Sequence, residues 1–211
     1  MGKLLVFGAG GRAGRAAVAE ARRRGHRVTA VVRDPGGHSG LAGDGVQLMA
    51  GDVTDVDSVA QAAAGHDAAI SAVYDAAAQP GAFYTGAARA LLDGLTRAQV
   101  TRLLVVGLAS TLHTEHGVAL MDTPGYPQEY RSFYLAHAAG TQVLRTATTG
   151  VDWLVVSPAG DFDHGGARSG RYRTAMADVA SRISYADLAV ALIDEIDAPA
   201  HHRTHLGVEA A

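Results

Sequence analysis

At 211 residues, 48% hydrophobic and 18% charged, the chain has the size and balance of one globular domain with a buried core. Cysteine is absent, which excludes disulfides, thiolate catalysis and cysteine-bound metal centres. A formal charge of −3 with 6% aromatics argues against a nucleic-acid partner, and because Lys3 is the only lysine, no catalytic lysine exists beyond the first strand. The opening run MGKLLVFGAGGRAG lacks a basic leader and is soon broken by glycines, so neither a signal peptide nor a membrane span is expected, and a cytoplasmic location follows.

In chain order, the pattern predicts a strand at Lys3–Phe7, a helix at Gly11–Arg24, and strands at Arg27–Val32 and Val46–Ala50. A helix at Asp55–Ala64, a strand at Ala68–Val73, a helix at Pro80–Ala98 and a strand at Arg102–Gly107 come next. The helix Pro127–Thr148 and the strand Asp152–Val156 complete the repeating part, followed by a helix from Tyr185 to about Ile196 and a last strand near Thr204–Val208. Buried strands alternating with helices predict a doubly wound α/β fold of Rossmann type, mainly parallel, with helices on both faces of one domain. Two long connections, 108–126 and 157–182, follow strand ends, where open α/β sheets bind ligands, and are expected to wall the substrate side. Residues 1–107 are expected to carry most of the cofactor contacts.

Immediately after the first strand stand Gly8, Ala9, Gly10, Gly11, Arg12, Ala13 and Gly14, readable as glycines at 8, 11 and 14 or at 8, 10 and 14. Such a turn between strand and helix lets backbone approach a pyrophosphate, and the helix end offers free N–H groups and a positive dipole. An NAD binder places a carboxylate near the end of the second strand; this chain has Arg33 there, followed by Asp34. Arg33 and Arg12 are expected to converge on a 2′-phosphate, which favours NADPH over NADH, with Asp34 serving a ribose as the alternative. Asp52 and Val53, just past the third strand, are candidates for the adenine side, although an aspartate before a helix is also a routine cap.

With the glycine turn, Arg33, Gly51-Asp52-Val53 and Val106–Ser110, the chain resembles the atypical short-chain dehydrogenase/reductases. It is most similar to their small NmrA-like, flavin-reductase and biliverdin-reductase-B-type branch of NAD(P)H-binding proteins. The likeness extends through Asp152–Pro158, Gly170-Arg171-Tyr172 and Ile183–Ala189. It implies a nicotinamide near Ser71, Ala72, Val73, Leu108–Ser110 and Ser157–Gly160. In the larger superfamily a Ser, a Tyr and a Lys four residues on reduce carbonyls; here Ser110 and Tyr134 are present, but the fourth residue on is Ala138.

A positioned acid contributes about 10²–10⁴-fold, and an unactivated ketone needs one. A tyrosine with no cation beside it is a poor proton partner at neutral pH, so a conjugated acceptor such as a flavin, quinone, bilin or enone is expected, because its product spreads the charge. Ser110, Tyr134 and His137 are the catalytic candidates. Ser110 would orient the nicotinamide or the acceptor, and Tyr134 with His137 would assist protonation, since an imidazole titrates near neutrality. Tyr130 shares their helix face, and packing is its favoured role. Asp161, Asp163 and His164, and likewise His201, His202 and His205, lack the context of a metal site, so no metal is expected. The alternatives to an oxidoreductase are a non-catalytic NAD(P)H sensor and a specialised tailoring reductase or isomerase. The partner expected is a small molecule, with oligomeric state open.

Overall fold

Uninterrupted runs of apolar, β-branched side chains form strands buried on both faces. The computed structural model describes residues 1–211, and in it β1 (Lys3–Phe7), β2 (Arg27–Val32), β3 (Val46–Ala50), β4 (Ala68–Ser71), β5 (Arg102–Val106) and β6 (Asp152–Pro158) fulfil that expectation. Between them run α1 (Arg12–Arg23), α2 (Val56–Ala63), α3 (Pro80–Arg97) and α4 (Arg131–Thr146). The carboxyl-terminal part adds β7 (Asp161–Asp163), β8 (Tyr172–Thr174), β9 (Arg182–Ser184), α5 (Tyr185–Asp197) and β10 (Thr204–Ala210). The main sheet has the order β3-β2-β1-β4-β5-β6-β10-β8, parallel throughout except for β8, which pairs antiparallel with β10. β7 and β9 form a separate parallel pair.

The chain moves outward from β1 to β3 and then returns to lay β4 on the other side of β1, so strand order reverses between β1 and β4. That reversal opens a crevice above the carboxyl ends of these two strands, where a Rossmann sheet takes its ligand. Leu4, Val6, Ala30 and Leu154 face α1 and α5, whereas Leu5, Phe7, Leu103 and Trp153 face the helices α2, α3 and α4. The single Trp153 is core, as an apolar strand position predicts, at 2% exposure. Asp55 caps α2 by accepting from the Ser58 N–H, and Ser184 caps α5 by accepting from the Asp187 N–H.

Three boundaries differ from expectation. β4 ends at Ser71, freeing Ala72 and Val73 to line the crevice. α4 starts at Arg131, leaving Pro127–Tyr130 outside it; proline restricts the residue before it, and the helix begins only after Tyr130. The connection 157–182 is not a slack loop: β6 runs on through Pro158, and β7 and β8 lie within it. It is also tied at its back, where Arg168 bonds the buried Glu20 at 2.9 Å and the Ser169 and Gly170 N–H groups donate to Asp187. The connection 108–126 has a small core of its own, Ala109, Leu112 and Leu120 packing with Ala177. No helix is long and apolar enough to cross a membrane.

Candidate active site

The glycine turn is dictated by contacts. Gly8 adopts φ +72°, and a Cβ there would collide with the Ala72 carbonyl oxygen. A Cβ at Gly14 would strike the Gly8 carbonyl, so the last glycine is what lets α1 pack against the end of β1. Gly11 is different: nothing lies closer than 3.5 Å to its added Cβ, because that position faces the open crevice. It is also the N-cap of α1, which has no side-chain cap and no acidic residue in its first turn. The N–H groups of Gly10, Arg12, Ala13 and Gly14 consequently have no protein acceptor. Four free donors at a positive helix end fit a pyrophosphate.

Gly8, Gly10, Gly11, Arg33, Asp52, Val53, Ala72 and Val73 line one cleft of about 470 Å³, within the usual size of a small-molecule site. Arg33 stands exposed at the end of β2 with its guanidinium on Asp75. Arg12 does not join it. Its Nη1 instead meets His164 Nδ1 at 3.0 Å on the substrate side, because the first turn of α1 points this side chain toward the segment after β7. His38 lines the cleft together with Arg33. His38 packs on Gly10, and Arg15 donates to the Gly10 carbonyl at 2.8 Å while its Nη2 lies 3.3 Å from His38 Nδ1. His38 was not legible as a site residue, since it reaches the cleft only through the folded turn. Asp34 is spent on its own turn, accepting from the Gly36 N–H at 2.9 Å, and does not line the cleft. Asp52 does line it, with Oδ1 holding Thr54, while the cap of α2 falls to Asp55.

Leu108, Ser110, Tyr126, Tyr130, Phe133 and Tyr134 line a second cleft, of about 510 Å³, together with Pro158 and Gly160, Asp161 and Phe162. The two clefts share a wall where Tyr74 of the first meets Phe133 of the second edge to face at 5.8 Å. Ser110 sits in a single helical turn, Ala109–Thr111, only 1% exposed, and its Oγ has no hydrogen-bond partner. An unpaired buried hydroxyl is costly, so its retention at a cleft wall points to a ligand that completes it. Tyr134 meets Tyr126 edge to face, with ring centres 5.4 Å apart. Burial, then Glu129 and Tyr130, raise the Tyr134 pKa over the opposing hydrogen bond with Tyr126, and no lysine follows it on the helix, where Ala138 stands. Tyr130 corrects the expectation of packing, because its ring is 58% exposed at the rim of this cleft.

His137 does not stand beside Tyr134 in the cleft. Its ring lies 3.8 Å from that of Tyr84, lining with Ser71 and Val73 a small inner cavity between the sheet and the helices α3 and α4. Burial first, and then nearby His205, push its pKa down to about 3, so the expected titration near neutrality is lost. Ser71 is likewise inside, and Leu108 belongs to the second cleft rather than the first. The three carboxyl-terminal histidines have partners: His201 bonds Glu195 at 2.6 Å, His202 bonds Asp152 at 2.7 Å, and His205 bonds the Ser157 hydroxyl at 2.7 Å.

The model of a family described as NAD(P)H-binding matches residues 8–199, from the first glycine of the turn to beyond α5. The chain belongs to this NAD(P)H-binding family. The uncharacterised Bacillus subtilis protein YwnB is 36% identical over 207 residues, 94% of each chain. A Burkholderia pseudomallei protein, described provisionally as exported, shares 37% identity and a TM-score of 0.86 over 99% of this chain and all of that one. A Streptococcus pneumoniae structure, assigned provisionally as an NADH-flavin reductase, gives 32% identity and a TM-score of 0.81 over the whole of both chains. The NAD(P)H-binding protein is thus of the atypical short-chain dehydrogenase/reductase type that its motifs resemble, a Rossmann-like domain built for a nicotinamide cofactor.

Proposed function

We propose that the protein is an NADPH-dependent oxidoreductase that transfers hydride to a flat conjugated acceptor. Residues 1–107 mainly hold the cofactor, the segments 108–126 and 157–182 wall the acceptor cleft, and the reaction takes place in the cytoplasm. The free N–H groups of the glycine turn suit the pyrophosphate, and Arg33 with His38 suits a 2′-phosphate better than a ribose hydroxyl, because no free carboxylate stands at the end of β2. The bound nicotinamide supplies the hydride.

The observation that carries the choice of acceptor is the state of Tyr134. Its raised pKa and the lack of a lysine four residues on keep it a neutral phenol, able to donate a hydrogen bond but poorly able to exchange a proton with an alkoxide. An acceptor whose reduced form delocalises its charge needs no more than that. Tyr126, Tyr130 and Phe133 offer ring faces and edges to a flat molecule. Ser110 Oγ, poised without a partner, orients the carboxamide of the cofactor or a carbonyl of the acceptor.

The test is the loss of NADPH absorbance with panels of flavins, quinones, enones and saturated ketones. Turnover with a conjugated class and none with saturated ketones supports the reading. Equal turnover of saturated ketones, or no turnover despite tight NADPH binding, overturns it, and the latter outcome makes the protein a cofactor sensor.

A further inference from the structure

A third cleft, of about 440 Å³, opens on the flank of the sheet, away from both clefts described above. It lies between the turn after β5, the end of α4, and the strands β8 and β10. Three basic side chains from three elements line it: His113 from the 108–126 connection, Arg145 from the last turn of α4, and His205 from β10. Thr174 of β8 adds a hydroxyl, and no carboxylate is among the lining residues. Arg131, at the other end of the same helix, is paired with Asp122, whereas Arg145 has no acidic partner.

The electrostatics around His205 show that this charge is uncompensated. Burial, then Arg145, then His113 push its pKa down to about 4. His137 of α4, the other titratable group acting in this region, is likewise disfavoured as a cation by His205. The facing groups that are not basic are hydroxyls: Ser157 of β6 lies 2.7 Å from His205 Nε2, and Thr174 lies at the rim. If the Ser157 hydroxyl donates to Nε2, the neutral ring carries its proton on Nδ1, which has no protein acceptor and reaches solvent. Two imidazoles, a planar guanidinium fork and a hydroxyl converging without a counter-charge form a recognition set for an oxyanion.

We propose that this cleft binds a small oxyanion, phosphate or carboxylate, held by Arg145, His113 and His205. The anion supplies the missing counter-charge, so its binding is coupled to proton uptake by His205. The site is independent of the coenzyme cleft and does not depend on which acceptor the protein reduces.

The ring signals of His205 and His113 in NMR spectra of the full chain report this cleft and not the glycine turn. They are followed near about pH 6, at constant ionic strength, while sodium phosphate or sodium acetate replaces sodium chloride. A saturable shift of the His205 ring toward its protonated position is expected with one of the two salts. Tighter saturation with phosphate assigns the site to phosphate, and tighter saturation with acetate to carboxylates. Arg145→Gln, at an exposed position, should weaken binding about tenfold or more, and His113→Gln, on an exposed turn, about threefold or more. Shifts that stay linear with both salts, or saturation unchanged in both variants, overturn the proposal.

Discussion

A guanidinium standing where a carboxylate would receive a ribose hydroxyl alters which coenzyme fits, and the consequence is measurable at one residue. Arg33→Ala should lower the ratio of NADPH to NADH affinity about tenfold or more, the worth of a charge-assisted hydrogen bond, read by equilibrium binding of each coenzyme. An unchanged ratio would remove Arg33 from the account. Ser110 makes a different prediction because its hydroxyl is unsatisfied in the protein alone. Ser110→Ala removes a buried polar group without breaking a bond, so thermal stability should hold or rise while turnover falls about tenfold. A fall in both would mean that Ser110 is structural. Arg33 and Ser110 were legible in the sequence because position along the chain fixes them at strand ends. His38 was not, since it folds over Gly10 from the segment after β2. Arg12 was misread for the same reason: a residue in a glycine turn can point to either side, and only the packed helix decides.

At the scale of elements, the turn between β1 and α1 separates two roles that the glycines share in sequence. Gly8→Ala places a Cβ against the Ala72 carbonyl at a positive φ, so it should destabilise the fold itself. Gly11→Ala meets no close neighbour and should cost about 1 kcal/mol or less by thermal unfolding, yet weaken NADPH binding about tenfold or more, because the added methyl lies where backbone approaches the pyrophosphate. Equal losses of stability in both variants would contradict that division. Hydrophobic runs and helix periodicity placed every strand of the parallel sheet to within two residues at each end, because a strand buried on both faces leaves a continuous apolar signal. The segment 157–182 left no such signal. β7 and β8 are three residues long with only one partly buried side chain each, Phe162 and Tyr172, and the segment is held by Arg168 on Glu20 and by Asp187, contacts between residues far apart in the chain.

The whole molecule is joined across its layers by buried charges whose protonation sets the acid limit of stability. Glu20, 3% exposed, accepts from Arg23, Arg24 and Arg168, and these bonds outweigh burial and hold its carboxyl well below the usual range. Because the folded pKa is depressed, this stabilisation is complete above the unfolded pKa and is lost as pH falls toward the folded one. Glu20→Gln should cost about 3 kcal/mol at neutral pH by denaturant unfolding, leaving Arg23 and Arg168 without a counter-charge while Arg24 keeps Asp194 and Asp197. His137 and His205 act in the same direction at higher pH. Their folded values of about 3 and about 4 lie below an unfolded value of about 6.5, so the unfolded chain binds more protons between these limits. Stability should therefore fall on acidification from about pH 6.5 to about pH 4, by at most about 1.4 kcal/mol per pH unit for each ring. His137→Phe should flatten that slope, and an unchanged slope would contradict the burial assigned to the ring. None of this was readable from composition, because a net charge of −3 does not reveal which charges are buried together.

If the glycine turn grips a phosphorylated nicotinamide coenzyme, equilibrium binding of NADPH, followed by its fluorescence, reports it. Saturable one-to-one binding by the wild-type chain is expected, tighter for NADPH than for NADH, and weakened about tenfold or more by Gly11→Ala in a variant that remains folded. Absence of binding by either coenzyme, or affinity that Gly11→Ala leaves unchanged, would contradict it.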